Sequence, residues 1–540
     1  MKTFTCYGVR YVNRTYMITN SSKVHRFLST KLLSSTSHRL KSTDPNLANS
    51  GNATTSITPT GLFTYAELSN KSYIKIRGPD APKFLNGTIT SKLLPHFIKK
   101  NLTTIETKTD DGNDSNIPKE IPEFDMTQGN WGLYQDSGFN GPYVTRFGQY
   151  TGLLNGKGKL ITDLIVYPTP LLSQDATLMK YPTYLLELNN SIITRIVSTL
   201  ETHKLTSKIK IEKLDPKEFK TWDVSIKFEN IPHDVENPWI DNILNPIQLM
   251  KTPEDAFAFT ESVISTLFAG HEDDILAMYV ERRTDPIVQL DGAAPQLFRI
   301  VTKNKVEDIS KLFNQQAFPF EFSFGKVQPS TFRKFRFHYG FVDGYEDIKP
   351  ESNLPLELNF DYLPNTVSDN KGCYVGQELT ARTFSTGILR KRLIPVKLTN
   401  WEKLDNLIKN QVVNPDNETN CLLEVQMKST GKEQNIVDKT MAPNPFTTKS
   451  PFGTSNAHIA KKLRKKRPVG SLIAHEGENG IVMMRTEHFP SAFKPDGKDH
   501  GQFYISLKEN ENENDIENGK DIVGVVPKRP YWFHDWQRSN

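Results

Sequence analysis

Cysteine is scarce in this chain: only Cys6, Cys373 and Cys421 occur among 540 residues. They form no CxxC pair and no cysteine–histidine finger spacing, which excludes a disulfide framework and a closed zinc site and points to a reducing compartment. Long apolar runs are missing as well. GIVMM at 480–484 is strand-length, far below the roughly 20 residues that cross a bilayer, so no membrane insertion is expected. No internal repeat is present. Acidic residues are absent before Asp44, where the charges are Lys2, Arg10, Arg14, Lys23, Arg26, Lys31, Arg39 and Lys41. Without those eight the net charge of +5 becomes −3, so the overall basicity says nothing about nucleic acid for the rest of the chain. An acid-free, Ser/Thr-rich segment containing arginine, with Val24, Phe27, Leu28, Leu32 and Leu33 interspersed, reads as a mitochondrial transit peptide over 1–43. Its destination is the mitochondrial matrix, and Arg26-Phe27-Leu28 before Ser29 resembles a matrix-processing site.

What remains is 36% hydrophobic over the whole chain and long enough to bury a core in two or three domains, at roughly 100 to 200 residues each. Residues 44–60 read as a polar linker. YIKIR at 73–77 is a strand, GPD a turn, and APKFLNG a short helix with Asp80 as cap and Gly87 as stop. The polar, aperiodic 101–128 reads as a surface insertion. LITDLIVYP at 160–168 and TYLLEL at 183–188 are strands, followed by a helix capped by Ser191 with Ile192, Ile193, Ile196, Val197 and Leu200 on one face. KIKIE at 208–212 and DVSIKF at 223–228 alternate as strands. A helix among antiparallel or mixed strands makes residues 61–388 an α+β region. From 389 to 540 a small all-β domain follows: ILRKRLIPVKL is strand-like, VGSLIAH and IVMMRT flank the EGENG turn as a hairpin, and 399–460 reads as an inserted loop. KKLRKKR at 461–467 reads as a solvated basic edge, with no nucleic acid partner expected.

KGCYVGQE at 371–378 holds the middle cysteine between two glycines. Gly372 and Gly376 permit positive φ or close backbone approach on both sides of it. Lys371, with Arg382, Arg390, Lys391 and Arg392 nearby in sequence, favours the thiolate, which is the nucleophilic and metal-binding form. Gln377 and Glu378 supply a polar edge that orients a ligand or opens a helix running on through LTAR. On chemistry alone two readings stand: a reactive thiol, or an inert small buried residue.

KGCYVGQELTAR resembles the signature of the YgfZ family: Lys-Gly-Cys-Tyr/Phe, any residue, Gly-Gln-Glu, then a small residue and Arg. Lys371, Gly372, Cys373, Tyr374, Gly376, Gln377, Glu378 and Arg382 meet its fixed positions. YIKIRGPDAPKFLNGTITSKL at 73–93, YTGLLNGKGKLITDLIVY at 150–167 and LPLELNFD at 354–361 resemble other stretches of the family in order. Departures are Thr206 in KLTSKI, where the family often carries arginine, and ERRTDP at 281–286, a loose match to its Asp-Arg stretch. The resemblance implies the fold of the folate-dependent aminomethyltransferase of glycine cleavage, with intertwined α+β domains and a C-terminal β-barrel around a central pocket. It implies an iron–sulfur cluster assembly factor that acts with A-type scaffold proteins to mature [4Fe–4S] client enzymes of the aconitase and radical-SAM types.

Three activities then compete. In the first, Cys373 supplies one ligand to an iron–sulfur cluster shared with a partner, since a cluster is held by about four thiolates or by thiolates with histidines. The second is a tetrahydrofolate-dependent aminomethyl or one-carbon transferase, whose branch resembles Lys, any residue, Asp-Phe where this chain has KGCY. The third is a cysteine-nucleophile enzyme, with His338 as the nearest upstream histidine to serve as base. Weak or no folate binding is expected, and no catalytic residue is assigned.

Overall fold

In the computed structural model the described residues are 59–94, 132–136, 138, 140–172, 180–231, 236–319, 321–368, 370–405, 423–428, 467–494, 503–507 and 522–539. The segment 1–43 expected as a transit peptide, all but the last two residues of the expected linker 44–60, the expected insertion 101–128, Cys6, Cys421 and most of the basic run 461–467 lie outside them.

Two five-stranded sheets share the chain. The first has the order Ile275–Val280, Gln296–Lys303, Phe219–Glu229, Thr60–Leu68, Phe322–Lys326, antiparallel except for the last pair. The second is fully antiparallel, in the order Gln149–Leu154, Leu160–Thr169, Thr183–Asn189, Lys71–Arg77, Lys210–Lys213. Over the described residues the chain enters the first sheet, builds the second, and returns, so the α+β domains are intertwined. Six antiparallel strands follow as a closed barrel, whose ring is completed by pairing Lys391–Thr399 with Ile522–Pro527. One of its strands, Glu424–Met427, lies inside the stretch read from sequence as an inserted loop. Its four residues carry too short an alternation to stand out from the polar sequence around them.

Periodicity located the helix Ile193–Lys204 well: Ile193, Ile196 and Leu200 are buried against Ile74, Ile76 and Leu186 of the second sheet. Each such side chain contributes about 1.5–3 kcal/mol by leaving water. The expected caps are different. Ser191 does not cap this helix; its N–H instead donates to Asn189 Oδ1 at 2.9 Å. Asp80 does not cap the helix Ala81–Asn86 with its side chain, because its carboxylate accepts the Lys208 N–H at 2.7 Å and so ties two remote segments together. Gly87 ends that helix in right-handed backbone, φ −85°.

Between the sheets lies a buried ion network that no local pattern announces. Arg299 donates from Nη1 to Glu187 (2.9 Å), from Nε to Asp223 (2.8 Å) and from Nη2 to Asp343 (2.7 Å). Lys71 lies 3.7 Å from Asp343, and Arg336 donates to Asp223 at 3.0 Å. Three cations thus face three carboxylates. Burial lowers the pKa of Arg299, but Asp223, Asp343 and Glu187 outweigh it and raise the guanidinium well above its ordinary value. Burial opposes ionisation of Asp343 too, yet Arg299, Lys71 and Arg336 pull it well below the usual carboxylate range.

Asp347 and Asp285 behave oppositely. Burial pushes each carboxyl up to about 6, against the partial compensation of Arg333 and Arg282 respectively. The folded protein therefore keeps these protons to about pH 6, whereas the unfolded chain releases them near 4. The stability that these two groups contribute accordingly falls as pH rises from about 4 to about 6 and levels above, by about 1 kcal/mol per group between pH 5 and 7. Asp223 and Glu281, held low by Arg299 and Arg283 despite burial, have already made their contribution above about pH 4 and do not mask this slope. Denaturant unfolding at pH 5 and 7 should show a decline about 1 kcal/mol smaller in Asp347→Asn than in wild type, a difference in which the other titrating groups cancel. An unchanged slope in that variant would rule out Asp347 as a source.

Candidate functional site

The motif helix runs from Gln377 to Thr386 and is framed by glycines at both ends: Gly376 at φ 78° precedes it and Gly387 at φ 65° closes it. Gln377 folds back so that its Oε1 accepts the Tyr374 N–H at 3.0 Å. Glu378 sits in the first turn, where a carboxylate suits the helix dipole, and accepts from Arg382 one turn on at 2.7 Å. Both of these side chains are exposed.

Gly372, at φ 82°, and Gly376 fulfil the two roles expected of them. A Cβ on Gly376 would stand 2.5 Å from the Asn155 carbonyl oxygen and 2.8 Å from Leu154 Cβ, because the hairpin turn 155–158 packs directly on this backbone. Gly387 has open space around the same position. Gly376→Ala should then cost about 1–3 kcal/mol from combined clash and positive φ, and Gly387→Ala about 1 kcal/mol from φ alone. Unfolding midpoints of the two variants check this ranking, and equal losses would mean that the turn does not clamp the motif.

Lys371 is placed differently from the sequence expectation. Its ammonium does not serve the neighbouring thiol: Nζ donates to the carbonyls of Ile89 and Ser91, the latter at 2.8 Å, and lies 4.5 Å from the Tyr374 ring centroid. Lys371 is only 2% exposed, and burial lowers its pKa well below that of an ordinary lysine, with Asp136 opposing the shift. Of the other nearby cations, three are engaged elsewhere. Arg382 pairs with Glu378, Lys391 lies 3.5 Å from Glu357, and Arg392 grips Asp361 at 2.7 Å.

Cys373 itself is exposed, between the buried Lys371 and the buried Tyr374. It is therefore not the inert buried thiol of the alternative reading. Among the described residues no group of three or more His, Cys, Asp or Glu is placed to hold a metal ion. His338, the candidate base, stands on the helix Pro329–Tyr339 that packs on the barrel; its Nδ1 is 2.9 Å from Lys528 Nζ and its ring meets Tyr339 edge-on. Burial and Lys528 lower its pKa.

Sequence reasoning missed the cradle beneath the motif. Residues 86–91 (NGTITS) bond 366–375 repeatedly: Val375 N–H to Gly87 O and Ser368 N–H to Thr90 O, both 3.1 Å, and Thr90 Oγ1 to Thr366 O at 2.8 Å. The stretch was visible only as part of an opening strand and helix, because pairings across some 280 residues have no local signature. A cavity bounded by Tyr150, Arg283, Asn359, Tyr531 and Trp532 has about 10 Å³ of space. ERRTDP braces it: Arg283 donates to Glu281 and to Val342 O (2.6 Å), and its guanidinium lies 4.2 Å from the Tyr150 ring centroid. Thr206, the other departure, is exposed.

No family model matches the chain. Among solved structures, the glycine cleavage system aminomethyltransferase T from Bartonella henselae is similar at a TM-score of 0.41 and 11% identity, over 87% of this chain and 86% of that one. Among curated proteins, the iron–sulfur cluster assembly factor IBA57, mitochondrial, of Saccharomyces cerevisiae is 47% identical over 89% of this chain and 91% of its own length. The IBA57 homologues of Candida glabrata and Kluyveromyces lactis are 44% and 38% identical, covering 88% and 80% of this chain and 92% and 87% of their own. Identity at that level, along nearly the whole length of these relatives, means that this chain belongs to the IBA57 family of mitochondrial iron–sulfur cluster assembly factors.

Proposed function

We propose that this chain is a non-enzymatic assembly factor of the mitochondrial matrix, imported through residues 1–43, in which Cys373 lends one thiolate to an iron–sulfur cluster carried by an A-type scaffold protein. The cluster is cargo. The observation that carries the reading is an exposed thiol on a backbone clamped by Gly376, Lys371 and the cradle, without a set of further ligands among the described residues. One thiolate cannot hold a cluster, but it can complete one. On binding, the Cys373 thiol gives its proton to water and its sulfur lone pair to iron, with no change of oxidation state. A fixed backbone around that sulfur limits the ordering cost of docking. [4Fe–4S] enzymes of the aconitase and radical-SAM types are the clients in this reading. Mixing the protein with a cluster-loaded A-type scaffold should give a co-eluting, coloured complex by gel filtration. Elution of all the colour with the scaffold alone would refute the proposal.

A further inference from the structure

Asn86 closes the helix Ala81–Asn86 and is 2% exposed. Both ends of its amide are engaged: Oδ1 accepts the Leu93 N–H at 3.0 Å, and Nδ2 donates to the carbonyl oxygen of Lys371 at 3.1 Å. That carbonyl belongs to the peptide joining Lys371 to Gly372, and Gly372 is at φ 82°. Glycine adopts either sign of φ with similar ease, so sterics do not fix the orientation of this peptide. A hydrogen bond must do so. The Lys371 side chain holds a different part of the cradle, the Ile89 and Ser91 carbonyls, and the next backbone ties, Tyr374 N–H to Gln377 Oε1 and Val375 N–H to Gly87 O, lie beyond the cysteine.

We infer that Asn86 is a positioning residue for Cys373: by holding the Lys371 carbonyl it sets the direction in which the chain leaves the Gly372 hinge and presents the thiol. It touches neither thiol nor cargo and acts through the backbone. The inference refines the cluster-sharing reading, and its structural half stands apart from it.

Two variants separate positioning from simple anchoring. Asn86→Ala removes both bonds of the amide. Asn86→Asp keeps an acceptor for the Leu93 N–H and removes the donor to Lys371. Hydrogen exchange, read at pH 8 on the full chain, should quicken in peptides spanning 372–376 by about tenfold in both variants, the factor for losing one buried hydrogen bond. The strand 160–169 should keep its protection in both, and the 88–93 segment should lose protection only in Asn86→Ala. If Asn86→Ala lowers overall folding, Asn86→Asp carries the test. Wild-type exchange at 372–376 in Asn86→Asp would overturn the inference, as would a gain that appears equally across the whole chain.

A second readout concerns function. With a cluster-loaded A-type scaffold, Asn86→Asp should weaken formation of the coloured complex about tenfold or more, as loss of residues that orient a metal ligand does, while Cys373 remains fully alkylated by iodoacetamide. Undiminished complex formation would overturn the positioning role. If Cys373→Ser also formed the complex, the cluster-sharing reading would fall, and the exchange result alone would decide what Asn86 does.

Discussion

Arg299→Met should destabilise the protein by about 3–5 kcal/mol, more than any surface change, because it removes one partner of a buried network and leaves the others charged. Glu187, Asp223 and Asp343 each lose a hydrogen bond of 2.7–2.9 Å, and only Lys71 and Arg336 remain to balance three carboxylates. Glu187 belongs to the second sheet, Asp223 to the first and Asp343 to the loop behind the helix Pro329–Tyr339, so the loss falls on the junction of both sheets. Since domains are stable by only about 5–15 kcal/mol, much of the folded population is at stake. The Arg195–Glu351 pair is the control. It is as short, 2.6 Å, but about half exposed, and Arg195→Ala should cost no more than about 1 kcal/mol. Denaturant midpoints of the two variants measure the contrast. An Arg299→Met protein as stable as wild type would mean that apolar packing alone joins the sheets.

That network also marks where sequence reading stops. Strands such as Leu160–Thr169 and Thr183–Asn189 and the apolar face of Ile193–Lys204 were legible because their period is local. So were Gly372 and Gly376, whose spacing around Cys373 requires backbone freedom that the structure uses at φ 82° and 78°. Asp80 and Ser191 were misread because their types suit helix caps, whereas tertiary partners decide what a carboxylate or an N–H actually meets. Lys371 was misread in direction for the same reason. Adjacency to Cys373 in sequence says nothing about where a four-carbon stem will point, and it points down to Ile89 and Ser91. Arg299 carried no signal because its partners lie 44 to 112 residues away.

The second large effect is expected at the motif itself. Cys373→Ser changes one exposed atom, and such a change costs within about 0.5 kcal/mol of stability, so the cradle, the Gly376 clamp and the motif helix should persist. The hydroxyl of serine has a far higher pKa than a thiol and is a hard ligand, unsuited to iron–sulfur chemistry at neutral pH. Client maturation in cells lacking the protein should therefore not be restored by the variant, although it folds.

The most direct test is the visible absorption of gel-filtered mixtures of a cluster-loaded A-type scaffold with the wild-type protein or with Cys373→Ser, matched for fold by circular dichroism. Wild type should give a coloured peak at the mass of the complex, and Cys373→Ser should leave the colour on the scaffold; an equally coloured complex with the serine variant would contradict the account.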